Sequence, residues 1–252
     1  MLFRCLREKM PKLYSDFINM VPFGEYTNPK YGPMNMATHM PKGSVPPDLG
    51  PKSYIAYGRT SERGPGDSVT RLHLDLADAV NVLMHSVDAF NEEKEGAGAV
   101  WHLFRREDRR GLEDFLMRNQ AKLHYARCGD KLSQATVAHP IHDQVFMLTS
   151  EDLAQLQKEE SVQPWTIEQN DHEAIFVPGG VAHQVRNRRS CIKVALDYVS
   201  PESSCVSCDD NVRDFAKLRR SEGLQGRMMA SAAARNAMAV LKAERCGNES
   251  DG

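Results

Sequence analysis

Three residues in two separate stretches have the types and spacing to hold one metal ion. His73 and Asp75 stand in His73-Leu74-Asp75, and His183 lies far downstream. Residues i and i+2 of a β-strand project to the same face, so an imidazole and a carboxylate from one strand can converge on one point. Two histidines and a carboxylate on one face of a metal leave the other positions open. Non-haem Fe(II) oxygenases use that arrangement for co-substrate and O2. Taken alone, His-x-Asp is common, and a surface His and Asp on a strand edge would explain it. The second stretch changes the balance: Glu173-Ala-Ile-Phe-Val runs into Pro178-Gly179-Gly180, and the chain returns through Val-Ala to His183. A buried strand, a tight turn and a returning strand hold a distal ligand rigidly against the first pair.

A rival set is His139, His142 and Asp143. Pro140 between the histidines argues against a shared helical face. These residues read as turn and packing residues, and His85, His102, His124 and His172 stand alone.

Such an oxygenase binds a five-carbon dicarboxylate, 2-oxoglutarate, whose far carboxylate needs a cation or hydroxyl donors. Lys193 lies in the apolar run Ile192-Lys-Val-Ala-Leu196. Burial of a lone ammonium is costly unless it is paired, so Lys193 either meets a buried anion or reaches solvent from an edge strand. Thr70 can offer a hydroxyl near His73. Asn81 interrupts an apolar run and can bond the co-substrate or be a satisfied structural amide.

The elements that must position these groups are short. Period-two alternation over Thr70 to Leu76 predicts a strand, as do Tyr54 to Tyr57, Ala79 to Met84, Ala174 to Val177 and Cys191 to Val199. His139 to Leu148 reads as a turn leading into a strand. Gly64-Pro-Gly-Asp67 reads as a turn, and Asn91 to Gly98 as a polar loop. Helical spacing marks Glu107 to Gln120, through Leu112, Phe115 and Leu116. It also marks Ser150 to Glu160, with Ser150 as its cap. A short amphipathic stretch, Lys12 to Met20, precedes a Pro/Gly-rich segment ending at Gly50. From Asp209 onward the composition is helical, with Val212, Phe215 and Leu218 in step, then an Ala/Met-rich run through Leu241. The pattern predicts a sheet sandwich or barrel decorated by helices.

Composition sets further bounds. The 252 residues are 41% hydrophobic with a formal net charge of −2, enough for one sizeable core. The near balance argues against a dedicated nucleic-acid-binding domain, and Lys217-Leu-Arg-Arg220 reads as a solvated helix face. Neither a leader peptide nor a membrane-spanning apolar run is apparent, so the expectation is an intracellular protein with reduced thiols. Its six cysteines form no framework; Cys205-Val-Ser-Cys208 has no second pair to complete a zinc site. The Ala/Met-rich helix reads as core packing or as a partner surface, for example in a homodimer.

The stretch from Thr70 through Leu83, together with Gly98-Ala-Val-Trp-His-Leu-Phe104, His139-Pro-Ile-His-Asp-Gln144 and the run from Ala174 to Asn187, resembles the JmjC lysine demethylases. Ser190-Cys-Ile-Lys-Val-Ala-Leu-Asp-Tyr-Val-Ser-Pro-Glu202 extends the likeness. The nearest branch is the hairless-like one directed at methylated lysine nine of histone H3. The resemblance spans roughly residues 10 to 220 and implies a mainly β fold with helices: a double-stranded β-helix (cupin-like jelly roll) with flanking and C-terminal helices. It implies a lead-in over 1–50, a catalytic core over 51–205 and a helical segment over 206–252. It implies that His73, Asp75 and His183 bind Fe(II), that Thr70, Asn81 and Lys193 contact 2-oxoglutarate, and that Tyr57 lines a methyl-lysine pocket. With O2 as second co-substrate, the implied reaction is oxidative demethylation of mono- or dimethyl-lysine in the histone H3 tail, in chromatin and in the nucleus. A protein hydroxylase with the same centre, or a catalytically silent chromatin scaffold, are the alternatives. Branch members carry a cysteine-rich zinc-binding region upstream, which this sequence does not show; a fragment, a divergent protist or plant form and an isolated catalytic domain are the open readings, and the difference bears on chromatin targeting more than on the chemistry.

Overall fold

The computed structural model describes residues 8–58, 68–87, 96–123, 137–203 and 226–248, with side chains of the last stretch given from 228 to 242. Among these residues the strands are β1 (Lys52–Ala56), β2 (Val69–His73), β3 (Asp78–Val87), β4 (Ala99–Leu103), β5 (Trp165–Gln169), β6 (Ala174–Val177), β7 (His183–Asn187) and β8 (Ser190–Tyr198). They form two four-stranded sheets, one ordered β1-β8-β3-β6 and the other β2-β7-β4-β5. Except from β4 to β5, each strand is followed in the chain by one in the opposite sheet. That back-and-forth winding is a jelly roll, the mainly β, cupin-like core expected.

The burial patterns explain the pairing. β8 alternates: Cys191, Lys193 and Ala195 are buried while Ile192 is exposed, the period-two signature of a strand covered on one face. Ala99, Trp101 and Leu103 of β4 and Val185 of β7 pack with Ile175 and Val177 of β6 in one cluster, which fills the space between the sheets. A second cluster joins Leu72 and Phe104 to two helices, Arg109–Arg118 and Ser150–Glu160. In chain order the helices are α1 (Pro11–Met20), α2 (Gly24–Thr27), α3 (Arg109–Arg118), α4 (Gln120–Leu123), α5 (Ser150–Glu160) and α6 (Gly226–Asn248). Leu112, Phe115 and Leu116 of α3 are fully buried at i, i+3 and i+4, each worth about 1.5–3 kcal/mol of transfer free energy.

Several local expectations change. α5 is capped by Thr149, whose hydroxyl accepts from Asp152 N while the Asp152 carboxylate accepts from Thr149 N. Ser150 is the first helical residue, because Thr149 is the one that completes the capping box with Asp152. β4 and β5 were not anticipated: β4 is short and mostly buried, with no periodicity to separate it from helix, and β5 is a five-residue, mostly exposed strand close behind α5. Between 139 and 148 only Phe146 bridges, through Leu72 N to its carbonyl (2.9 Å). The Gln184 side chain takes both backbone groups of Leu148, at 2.9 and 2.8 Å, so a strand partner is not needed there.

The chain divides into two compact units. One comprises Lys52–Asp75 and Ala79–Ala195 and contains both clusters above. The other comprises the residues up to Pro51, Leu76–Asp78 and those from Leu196 on. Its core joins Met36, Leu49, Ala77, Val199 and Met229. In α6, Met229 and Ala232 are buried, whereas Met238, Val240 and Leu241 are exposed, so among its described side chains the expected core packing comes from the first turns. No described helix is long and apolar enough to cross a membrane. The Gly64 to Asp67 turn, the Val212-Phe215-Leu218 helix, Cys205-Val-Ser-Cys208, His124 and Lys217 to Arg220 lie outside the described residues.

Candidate metal centre

His183 opens β7 immediately after the Pro178-Gly179-Gly180 turn. Gly180 has φ of +79°, a left-handed conformation that glycine adopts without steric cost. Its N–H donates to the Asp75 carbonyl at 2.7 Å, and Val181 N–H donates to Pro178 O at 3.1 Å. Arg106 Nε donates to Gly179 O at 3.0 Å. The turn bearing the distal histidine is therefore tied to the backbone of the segment bearing the other two groups.

β2 and β7 place the histidines side by side. His73 is registered with His183 and Thr70 with Val185, with a bulge between Thr70 and His73. The extra residue bends the strand and resets its alternation, so Thr70 and His73, three apart, share a face. The expected parity separated them. β2 ends at His73, so Asp75 lies just beyond the strand and is held by the Gly180 hydrogen bond to its carbonyl, not by the ladder.

Donor atoms of His73, Asp75 and His183 all lie within 4.8 Å of one another, and this is the one such group of three among the described residues. Asp75 Oδ2 is 3.7 Å from His73 Nε2 and 3.9 Å from His183 Nε2, inside the roughly 4.2 Å that two metal bonds of ~2.1 Å can bridge. Each Nδ1–H donates to a backbone carbonyl: His73 to Arg71 at 2.8 Å, His183 to Val181 at 3.0 Å. Those bonds leave both Nε2 lone pairs free and aimed at the carboxylate, the orientation metal-bound histidines need. Burial, and then the charge of His73, push the His183 imidazole down to about 4, so it is neutral and ready to ligate. The side chain of Asp75 is 44% exposed, against 14% for His73 and 5% for His183, so the centre opens on the carboxylate side.

The other predicted residues divide. Lys193 is buried; its Nζ donates to Asn187 Oδ1 at 2.7 Å and lies 5.3 Å from the Trp101 ring centroid. The edge-strand alternative fails, because β8 is interior to its sheet. Burial lowers the Lys193 ammonium to about 8. Asn81 is registered with the core residue Ile175, and its Oδ1 is buried with no hydrogen-bond partner among the described residues. An orphaned buried carbonyl calls for a missing donor. A carboxylate offers no donor to that oxygen, so of the two it is the Lys193 ammonium that fits an acidic co-ligand beside the metal. Tyr57, expected in a substrate pocket, lies beyond the last residue of β1 and is 76% exposed. Tyr54 instead stands directly opposite Lys193 in the β1–β8 register and shares its face. His139, His142 and Asp143 build a turn: Asp143 Oδ2 accepts from Ala138 N and His139 N, and His139 Nδ1 accepts from Ile141 N.

Reading residue by residue missed Tyr54, Trp101 and Asn187. Trp101 stacks over His183 with ring centroids 6.1 Å apart and is anchored by Nε1–H to Gln169 Oε1 at 2.8 Å. The alternation of β8 would have picked out Lys193's face, but its partners required the strand register.

A JmjC domain, described as a hydroxylase domain, matches residues 64–198. That span includes Thr70, His73, Asp75, Asn81, His183 and Lys193, but not Tyr57. The chain is 39% identical to the lysine-specific demethylase JMJ26 of Arabidopsis thaliana over 82% of its own length, and covers 28% of that protein. It is 32% identical to human lysine-specific demethylase 3A over 94% of its length, covering 20% of that protein. The chain thus spans well under half of these relatives. With its two-sheet core and its His-Asp-His centre, this chain belongs to the JmjC family.

Proposed function

We propose that this chain is an Fe(II)- and 2-oxoglutarate-dependent oxygenase that removes methyl groups from lysine in the histone H3 tail. The observation that carries this reading is the His73-Asp75-His183 donor set with both Nδ1 atoms committed to backbone carbonyls. Fe(II), 2-oxoglutarate and O2, once bound, supply an oxidant able to hydroxylate an N-methyl carbon. The chain's own residues hold and orient. His73, Asp75 and His183 take the metal, and Lys193, Asn81 and Thr70 take the co-substrate, with Lys193 meeting its far carboxylate. The half-exposed Asp75 side is where a side chain would enter. Hydroxylation of N–CH3 gives a carbinolamine, which splits to formaldehyde and the shortened amine. The step needs no lone pair on nitrogen, so pocket size selects the methylation state.

Relatives named as lysine-specific demethylases, 3A among them, support demethylation of lysine, and the branch resemblance extends that reading to lysine nine of histone H3 in its mono- and dimethyl forms. A nuclear, chromatin-bound setting follows from that substrate, with residues 51–205 as the catalytic part. The family's description as a hydroxylase domain favours a second reading, protein hydroxylation with a stable product. Fe(II), 2-oxoglutarate and a lysine-nine dimethylated H3 peptide separate them. Formaldehyde with peptide mass lost in methylene steps supports demethylation. A gain of one oxygen supports the hydroxylase, and no succinate from metal-loaded protein overturns both.

A further inference from the structure

Among the described residues, Lys193 is a buried cation whose two contacts, the Asn187 amide and the Trp101 ring, are both uncharged. Buried ammonium groups ordinarily sit beside a carboxylate. Here that place is occupied by Asn187, and the amide cannot turn over without loss. Its Nδ2 donates to Ser68 O at 3.4 Å and Ser68 Oγ at 3.3 Å, so Oδ1 must face Lys193 Nζ. Cys191 Sγ shares the same oxygen at 3.4 Å. Asn187 ends β7, and strand alternation puts it on the same face as His183 at the other end. One indole, Trp101, stacks on His183 and underlies the Lys193 ammonium. The metal ligands and the cation therefore flank a single side chain.

We propose that Asn187 is a positioning residue: it aims the Lys193 ammonium and, being neutral, leaves that charge for an incoming carboxylate. This rests on the reading of Lys193 as the partner of the co-substrate's far carboxylate. A carboxylate at position 187 would pair with Lys193 and compete with the anion; an apolar residue would let the ammonium swing out of line. Asn187 acts through Lys193, and so affects only ligands that carry the second carboxylate.

The test compares 2-oxoglutarate with 2-oxobutyrate, which keeps the chelating end and lacks the far carboxylate. Calorimetry on Mn(II)-loaded full chain reads their affinities without turnover. Asn187→Asp should weaken 2-oxoglutarate by roughly tenfold or more and Asn187→Ala by a few-fold, with 2-oxobutyrate unchanged in both. Lys193→Met should show the same selectivity. If Lys193→Met loses 2-oxoglutarate but both Asn187 variants bind it as wild type does, the proposal fails and the reading of Lys193 stands. If Lys193→Met binds it normally, that reading itself fails. Loss of both acids in the Asn187 variants means a merely structural role and overturns the proposal. Should Asn187→Asp not fold, Asn187→Ala decides, unchanged 2-oxoglutarate affinity being the overturning result.

Discussion

The two ends of the inward face of β7 are built to opposite electrostatic requirements. At the His183 end, two imidazoles and a half-exposed carboxylate converge, each imidazole with its Nδ1 proton tied to a backbone carbonyl. That end is rich in electron pairs and short of positive charge. At the Asn187 end a buried ammonium has only neutral partners among the described residues, so it is short of negative charge there. Each end lacks what the other type of ligand brings. A dicarboxylate that chelates a cation at one end and meets an ammonium at the other satisfies both. A binding site is thus visible in an uncharged neighbour where a counter-ion would ordinarily be.

The strongest way to break this contrast is to remove a ligand. His183→Ala should abolish metal loading and turnover; elemental analysis of the purified variant, with circular dichroism as the fold control, reads the outcome. Retained metal and activity would remove His183 from the centre.

Proton titration tests both ends at once. The unfolded imidazole takes a proton near 6.5, but folded His183 resists until about 4. Metal-free protein should therefore keep its stability above pH 6.5 and lose about 3 kcal/mol as pH falls through that window. Lys193, lowered from 10.5 to about 8, behaves the same way higher up: stability present above 10.5 is lost as pH falls toward 8. Denaturant melts of wild type, His183→Asn and Lys193→Met should show each dependence vanish with its own residue.

Lys193→Ala should weaken 2-oxoglutarate by about 10- to 100-fold, the worth of a charged hydrogen bond, while metal stoichiometry stays at the wild-type value. Loss of both metal and co-substrate would show that the ends are not separable. The smallest effect belongs outside the site. Thr149→Ala removes the cap of α5 and should cost about 1 kcal/mol in a urea melt, without altering metal or co-substrate affinity.

Much of the centre was legible because it rests on local chemistry. His-x-Asp and the Pro-Gly-Gly turn leading to His183 are contiguous motifs, and Lys193 stands out in an apolar run. The helices over 109–118 and 150–160 were legible for the same reason, since helical periodicity is a property of neighbours. β4 and β5 were not, since five residues carry too little periodicity, and their identity comes from β4 pairing with β7 on one side and with β5 on the other. The cap moved by one residue because Thr149 and Ser150 are both good caps, and only the reciprocal bonds with Asp152 distinguish them.

The sequence by itself determined which side chains could ligate a metal, that a glycine turn would deliver the distal one, and that an ammonium would sit among apolar residues. These are matters of residue type and short-range spacing. Only the tertiary structure decided that a bulge turns Thr70 to the same face as His73, that Asp75 hangs from Gly180 beyond the end of β2, and that Tyr54, not Tyr57, stands beside Lys193. It alone decided that Lys193 has an amide for a neighbour. Strand register sets all of these, and a shift of one residue carries every side chain to the other face.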